Sequence, residues 1–193
     1  MTETRNRGRR IVLASGSPRR RELLAKMGYE FDVCTTDVDE TAFGAPEEQV
    51  RELARRKADA ACALCPDAVV IAADTLVALD GRTLGKPADD AEAMDMLRAL
   101  SGRAHDVFTG LCVTDTRTGR RALCAVGTRV VFRALTEDEL RAYVATGEPR
   151  DKAGAYAIQG GAGAFVEAFE GSFNNVIGLP TERLRDILDE MLG

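Results

Sequence analysis

DAVVIAAD, residues 67–74, carries six apolar residues without a break between two aspartates. A strand with one face in water alternates apolar and polar side chains, so an unbroken run fits a central strand covered on both faces. The run is expected to end at Asp74-Thr75. The stretch that follows, VALDGRTL (residues 77–84), reads as a hairpin turning at Asp80-Gly81. On the other side of the run a helix is expected over Pro46–Leu64, because Val50, Leu53, Ala54 and Ala61 fall on one helical stripe. Lys57 shares that stripe, seven residues after Val50. Its amine either snorkels to the edge or points into a cleft.

Further out lies LASGSPRRRELL, residues 13–24. Residues 11–14 form a short apolar run of strand type, and Ser17 and Pro18 suit the N-cap and first position of a helix. Leu23, Leu24 and Met27 give that helix an apolar face, and Gly28 stops it. Arg19 and Arg20 then sit in a first turn, where unpaired N–H groups and the positive end of the helix dipole already favour an anion. They are either donors for a phosphate or solvated charges on an exposed face. EFDVCTTDVDE, residues 30–40, reads as a strand running into the acidic corner Asp37, Asp39, Glu40.

Downstream, GKP brings Lys86 into a loop before Asp89 and Glu92 open a helix packed through Ala93, Met96, Leu97 and Leu100. Residues 105–133 hold two longer strand-type segments joined by the polar turn TDTRTG, and Thr136 caps another helix. Residues 147–180 are rich in glycine and suit either a loop-rich wall for a ligand or a set of tight turns. The segment 181–192 is an amphipathic helix with Leu184, Ile187, Leu188 and Met191 on one side. Alternating strands and helices predict an α/β domain over residues 11–193, without repeats or a long linker.

Bulk properties narrow the class. With 193 residues, 45% apolar and 30% charged, the chain has the composition of an ordinary globular protein. No run approaches a membrane span, and the basic opening MTETRNRGRR (residues 1–10) has no apolar signal segment and is expected to be a frayed tail. Five cysteines, an odd number, fit a reduced cytoplasmic protein better than a disulfide framework, and Cys62 and Cys65 are read as small core residues. A net charge of −5 argues against a nucleic-acid binder.

Familiar nucleotide and nucleophile motifs are missing: there is no G-x-x-x-x-G-K-[ST], no G-x-G-x-x-G after a strand and no G-x-S-x-G. The single histidine, His105, makes no zinc site by itself and is read as structural. What remains is a set of basic residues (Arg19, Arg20, Lys57, Lys86, Lys152) suited to a polyanion and carboxylates (Glu40, Asp74, Asp151) suited to a divalent metal or a water. That combination is what phosphoanhydride hydrolysis needs: cations offset the phosphoryl charge, and one carboxylate takes a proton from the attacking water. Asp74, expected at the carboxyl end of the most apolar strand, is the best single candidate.

The blocks LASGSPRRRELL, VDE, ELARRKA, AADTLV, LGKP, LSGRAHDVFTG, GEPRDKAGAYAIQG and GSFNNVIGLP, in this order and spacing, closely resemble the Maf family of nucleoside triphosphate pyrophosphatases over nearly the whole chain. The resemblance implies a metal-dependent enzyme, using Mg²⁺ or Mn²⁺, that cleaves between the α and β phosphates and releases a monophosphate and pyrophosphate. It implies Asp74 as proton acceptor and, with Glu40, metal ligand. It also implies a site lined by Ser17, Arg19, Arg20, Lys57, Lys86, Asp151, Lys152 and Gln159. DKAGAYAIQG is similar to the branch acting on dTTP and UTP, whose specificity positions fall at Arg19, Thr75 and Gln159. Ala157 stands where that branch more usually has glycine, and Phe173 where it has tyrosine. The implied architecture is an elongated mixed sheet with flanking helices and two lobes around a central cleft, often a homodimer in the cytoplasm. The alternative is a nucleotide-sensing septation or cell-division regulator without significant turnover.

Overall fold

The computed structural model describes residues 5–193. Seven strands form one mixed sheet: β1 (Ile11–Leu13), β2 (Asp32–Val33), β3 (Val69–Leu79), β4 (Arg82–Leu84), β5 (Ala104–Asp115), β6 (Arg121–Phe132) and β7 (Val166–Glu170). Their order is β2-β1-β3-β5-β6-β7, with β4 paired to β3. β1 runs parallel to β2 and β3, and the remaining pairs are antiparallel. The helices are α1 (Pro18–Lys26), α2 (Pro46–Leu64), α3 (Asp90–Leu100), α4 (Glu137–Ala145), α5 (Phe173–Ile177) and α6 (Thr181–Leu192). The expected α/β class, with a mixed sheet flanked by helices, is what the chain adopts. None of the described helices is long and apolar enough to cross a membrane.

The two-residue period of β3 sorts its side chains onto two differently covered faces. Val69, Ile71, Ala73, Val77 and Leu79 enter the large core with Leu24 of α1, Leu97 of α3, Leu140 of α4 and Leu184 of α6. Val70 and Ala72 pack on Ala54, Ala58 and Ala61 of α2, and Leu76 and Ala78 pack on Val50. The predicted span and stripe of α2 both hold. Half of its buried residues are alanines (Ala54, Ala58 and Ala61), which lets the helix approach the sheet closely. At Gly110 of β5 there is no space for a side chain: a Cβ there would lie 2.0 Å from the Val50 carbonyl oxygen and 2.3 Å from its carbon.

Three expectations need correction. β3 does not end at Asp74-Thr75; it continues to Leu79, because β5 pairs with it from Val69↔Asp115 to Ala78↔Asp106. Asp74 is thus mid-strand, directly opposite Gly110. Only Asp32 and Val33 of the segment 30–40 form a strand. The acidic corner is irregular and is held by Arg56, whose Nη1 donates to the Asp39 and Thr41 carbonyls at 3.0 and 2.7 Å. The frayed tail is not seen from Asn6 onward, although residues 1–4 lie outside the described residues. Buried Asn6 donates to the Glu30 carbonyl at 2.7 Å, and Arg9 pairs with the buried carboxylate of Asp115 at 2.7 Å. The β3–β4 hairpin turns where expected, with positive φ at Asp80 (51°) and Gly81 (76°).

His105 is structural, as expected. It sits edge-on to Phe132 and Tyr156, with Nε2 2.8 Å from the Tyr156 hydroxyl. Burial lowers its pKa from 6.5 to about 4. The folded protein therefore resists protonating this ring, whereas the unfolded chain accepts the proton near pH 6.5.

Two outcomes are expected. Gly110→Ala destabilises the fold by about 3 kcal/mol or more, since backbone must move to admit the methyl group. Gly85→Ala, where an added Cβ would meet no atom within 4 Å, leaves the unfolding midpoint nearly unchanged. Comparable denaturation curves for the two variants would refute the tight α2–β5 contact. Separately, the stability contributed by neutral His105 is complete above about pH 6.5 and declines by roughly 3 kcal/mol as pH falls to 4. Urea titrations of wild type and His105→Gln between those pH values check this, because the variant should lack that part of the slope.

Candidate active site

The gap along one edge of β3 makes the site. β1 pairs with β3 only as far as Ile71, and β4 takes over only at Val77. Among the described residues, 72–76 have no strand partner on that side. A cavity of about 620 Å³ occupies this gap and is lined from both faces of the sheet. It collects every residue expected from the sequence: Ser17, Arg19, Arg20, Glu40, Lys57, Asp74, Thr75, Lys86, Asp151, Lys152 and Gln159.

On the α2 face stands an acid–ammonium cluster. Lys57 Nζ lies 2.6 Å from Asp74 Oδ1 and 2.8 Å from Glu40 Oε1. The side chains of Lys57 and Asp74 are only 15% and 14% exposed, so the pair is poorly screened, whereas Glu40 is 60% exposed. The snorkelling alternative for Lys57 is set aside by this geometry. The Lys57 bond holds the Glu40 carboxyl below its ordinary pKa. Asp74 Oδ2 has no hydrogen-bond partner among the described residues and remains an open acceptor.

The other face carries a hydrogen-bonded chain. Arg20 donates through Nε to the Gly178 carbonyl (2.7 Å), through Nη1 to Ser15 Oγ (3.2 Å) and through Nη2 to Thr75 Oγ1 (3.0 Å). Thr109 donates to the Asn175 carbonyl at 3.0 Å, so in the 2.8 Å contact between Thr75 and Thr109 the proton belongs to Thr75. The Thr75 hydroxyl is therefore engaged within the wall. Arg20 ties the start of α1 to β3 and to the end of α5. Two of its five N–H groups are left uncommitted among the described residues.

Ser17 caps α1, its Oγ accepting from the Arg20 amide at 3.5 Å. Arg19 stands in the first turn of that helix and reaches the cavity unpaired among the described residues. Lys86, exposed in the loop after β4, is likewise unpaired. Lys152 pairs with its neighbour Asp151, which holds the Asp151 carboxyl below the usual range. Gln159 is exposed at the tip of a turn with its amide unpartnered among the described residues. Sequence reasoning missed Ser15, whose buried hydroxyl accepts from both Ser17 N and Arg20. The signal available was the Ser-Gly-Ser corner, in which a serine bonds the amide two residues on. Gln49 and Thr83 also line the cavity, and their spacing carried no signal.

A largely shielded acid and ammonium on one side of a cavity, with the unpaired cations Arg19 and Lys86 elsewhere around it, suit a polyanion and a proton transfer. Comparison with known proteins points the same way. The family described as Maf-like protein matches residues 10–191. A dTTP/UTP pyrophosphatase of Pelotomaculum thermopropionicum is 53% identical over 180 residues, covering 92% of this chain and 94% of its own. One from Geobacter sulfurreducens is 52% identical, with 89% and 91% covered, and one from Syntrophus aciditrophicus is 45% identical, with 94% and 90% covered. A match that spans the sheet, the gap in it and every residue around that gap makes this chain a member of the Maf family.

Proposed function

We propose that the chain hydrolyses dTTP and UTP between the α and β phosphates, releasing the monophosphate and pyrophosphate. The observation that carries this reading is the Asp74 carboxylate, 14% exposed, anchored through one oxygen on Lys57 and open at the other. An anchored carboxylate with a free oxygen is oriented to accept a proton from a water. The Lys57 ammonium, 2.6 Å from Oδ1, fixes the direction in which the carboxylate presents its other oxygen. Arg19, Lys86 and Lys152 surround the cavity from three elements, and a triphosphate is the ligand whose charge is spread widely enough to meet all three.

The donor set suits a hard divalent cation. One ammonium touches both Glu40 and Asp74, so the two carboxylates lie close together, and Asp74 Oδ2 is not engaged by that ammonium. No group of three or more ligating side chains occurs among the described residues. Mg²⁺ characteristically takes one or two carboxylates and completes its shell with phosphate oxygens and water. Glu40 and Asp74 would hold it, and when bound it offsets charge on the phosphates.

Base choice falls to Gln159 and Arg19. A side-chain amide can pair with both the carbonyl and the N–H of a pyrimidine edge, and Gln159 is free to do so. Thr75, the third position implied by the resemblance, has its hydroxyl engaged with Arg20 and Thr109. It supports the wall that faces the base.

Two measurements test the reading. Pyrophosphate release from a nucleotide panel is expected to be faster with dTTP and UTP than with GTP, and to stop in excess EDTA. Tight nucleotide binding without any release would favour a sensor instead. Asp74→Asn is nearly isosteric and should lower kcat by about 10²–10⁴-fold while circular dichroism and nucleotide affinity stay close to wild type. Near-normal turnover in that folded variant would remove Asp74 from the mechanism.

A further inference from the structure

We infer that Tyr143 and Glu148, neither of which lines the cavity, form a clamp that fixes the Gln159 turn and so set base selectivity. This rests on the reading of Gln159 given above. Gly160 N donates to the Ala157 carbonyl at 3.0 Å, which closes a turn with Ile158 and Gln159 at its centre. Ile158 is buried and Gln159 exposed. The two ends of the turn are held by two side chains that are bonded to each other. At its start, the Ala157 amide donates to the Tyr143 hydroxyl at 3.1 Å. That hydroxyl donates in turn to Glu148 Oε1 at 2.9 Å. Just past its end, the Gly161 amide donates to Glu148 Oε2 at 3.2 Å. One carboxylate thus spans the turn, with the tyrosine as its extension.

The fit leaves little slack. A Cβ at Gly160 would lie 2.0 Å from Glu148 Oε1, and one at Gly161 would lie 3.2 Å from the Tyr143 ring. Tyr143 is 5% exposed and its ring sits edge-on to Phe165, with centroids 5.1 Å apart. Removing its hydroxyl leaves the ring packing in place and deprives a buried amide and a carboxylate oxygen of their partner. The turn then gains freedom where Gln159 must present its amide in one orientation. Discrimination between bases is lost before phosphate chemistry is, because Arg19, Lys86, Lys57 and Asp74 stand on other elements.

The test compares kcat/KM for dTTP and GTP in Tyr143→Phe, in Glu148→Ala and Glu148→Gln, in Gln159→Ala, and in Tyr143→Phe combined with Gln159→Ala. The dTTP:GTP ratio should fall about three- to tenfold in Tyr143→Phe, the range for one lost hydrogen bond. It should fall further in Glu148→Ala and be partly restored in Glu148→Gln, whose oxygen still accepts from Gly161. In the Gln159→Ala background, Tyr143→Phe should change the ratio less than about twofold. Hydrogen exchange at the Ala157 and Gly161 amides should rise in the single variants. Equal losses on both nucleotides, unchanged exchange, or an undiminished effect without Gln159 would each overturn the clamp. An unchanged ratio in Gln159→Ala alone would instead overturn the assignment of base choice to Gln159. Should Tyr143→Phe not fold, the two Glu148 variants carry the same comparison.

Discussion

Helix α2 rests on the sheet where Gly110 leaves no room for even one methyl group, and the acidic side of the site depends on that contact. Gly110 is the cross-strand partner of Asp74, and paired residues point to the same face. The glycine therefore clears the space beside Asp74 into which the helix descends. Two turns beyond Val50, the same helix delivers the Lys57 ammonium onto the Asp74 carboxylate. A larger residue at position 110 would lift the helix and separate an acid and a base that are both largely withdrawn from water. Unpairing such groups costs far more than an exposed ion pair contributes.

The second organising feature is the gap along β3. Strand neighbours on one side are supplied in two instalments, parallel β1 and then antiparallel β4, and the interval between them exposes both faces of a single strand at once. Consecutive residues consequently do different work. Asp74 faces α2 and joins the acid–ammonium cluster, whereas Thr75 faces α1 and α5 and joins the Arg20 chain. Two arrangements that would otherwise lie on opposite sides of a sheet share one cavity.

Much of this was legible in the residues. The span of α2, its buried stripe and the capped starts of α1, α3 and α4 follow from local spacing and end chemistry, which act within a few residues of each other. All eleven candidate site residues line one cavity. What escaped was set by partners distant in sequence. Nothing in TLVAL says that β5 pairs through it, so the strand appeared to stop at its first carboxylate. Arg20 looks like Arg19 on paper, yet three elements claim its donors. Asn6 and Arg9 look like a tail until Glu30 and Asp115 are seen beside them.

The two ends of the sheet bear on how molecules meet one another. A free strand edge offers unpaired N–H and C=O groups that invite a strand from another chain, and proteins guard against this with short, bulged or charged edge strands. Here β2 offers only Asp32 and Val33. At the far side, β7 is five residues long, carries Glu167 and Glu170, and pairs with β6 across an irregularity at Val131/Phe132. Neither edge is a template for growth. Both rims thus carry features that oppose addition of a strand from another chain, while the gap at the centre of the sheet faces a cavity sized for a small ligand.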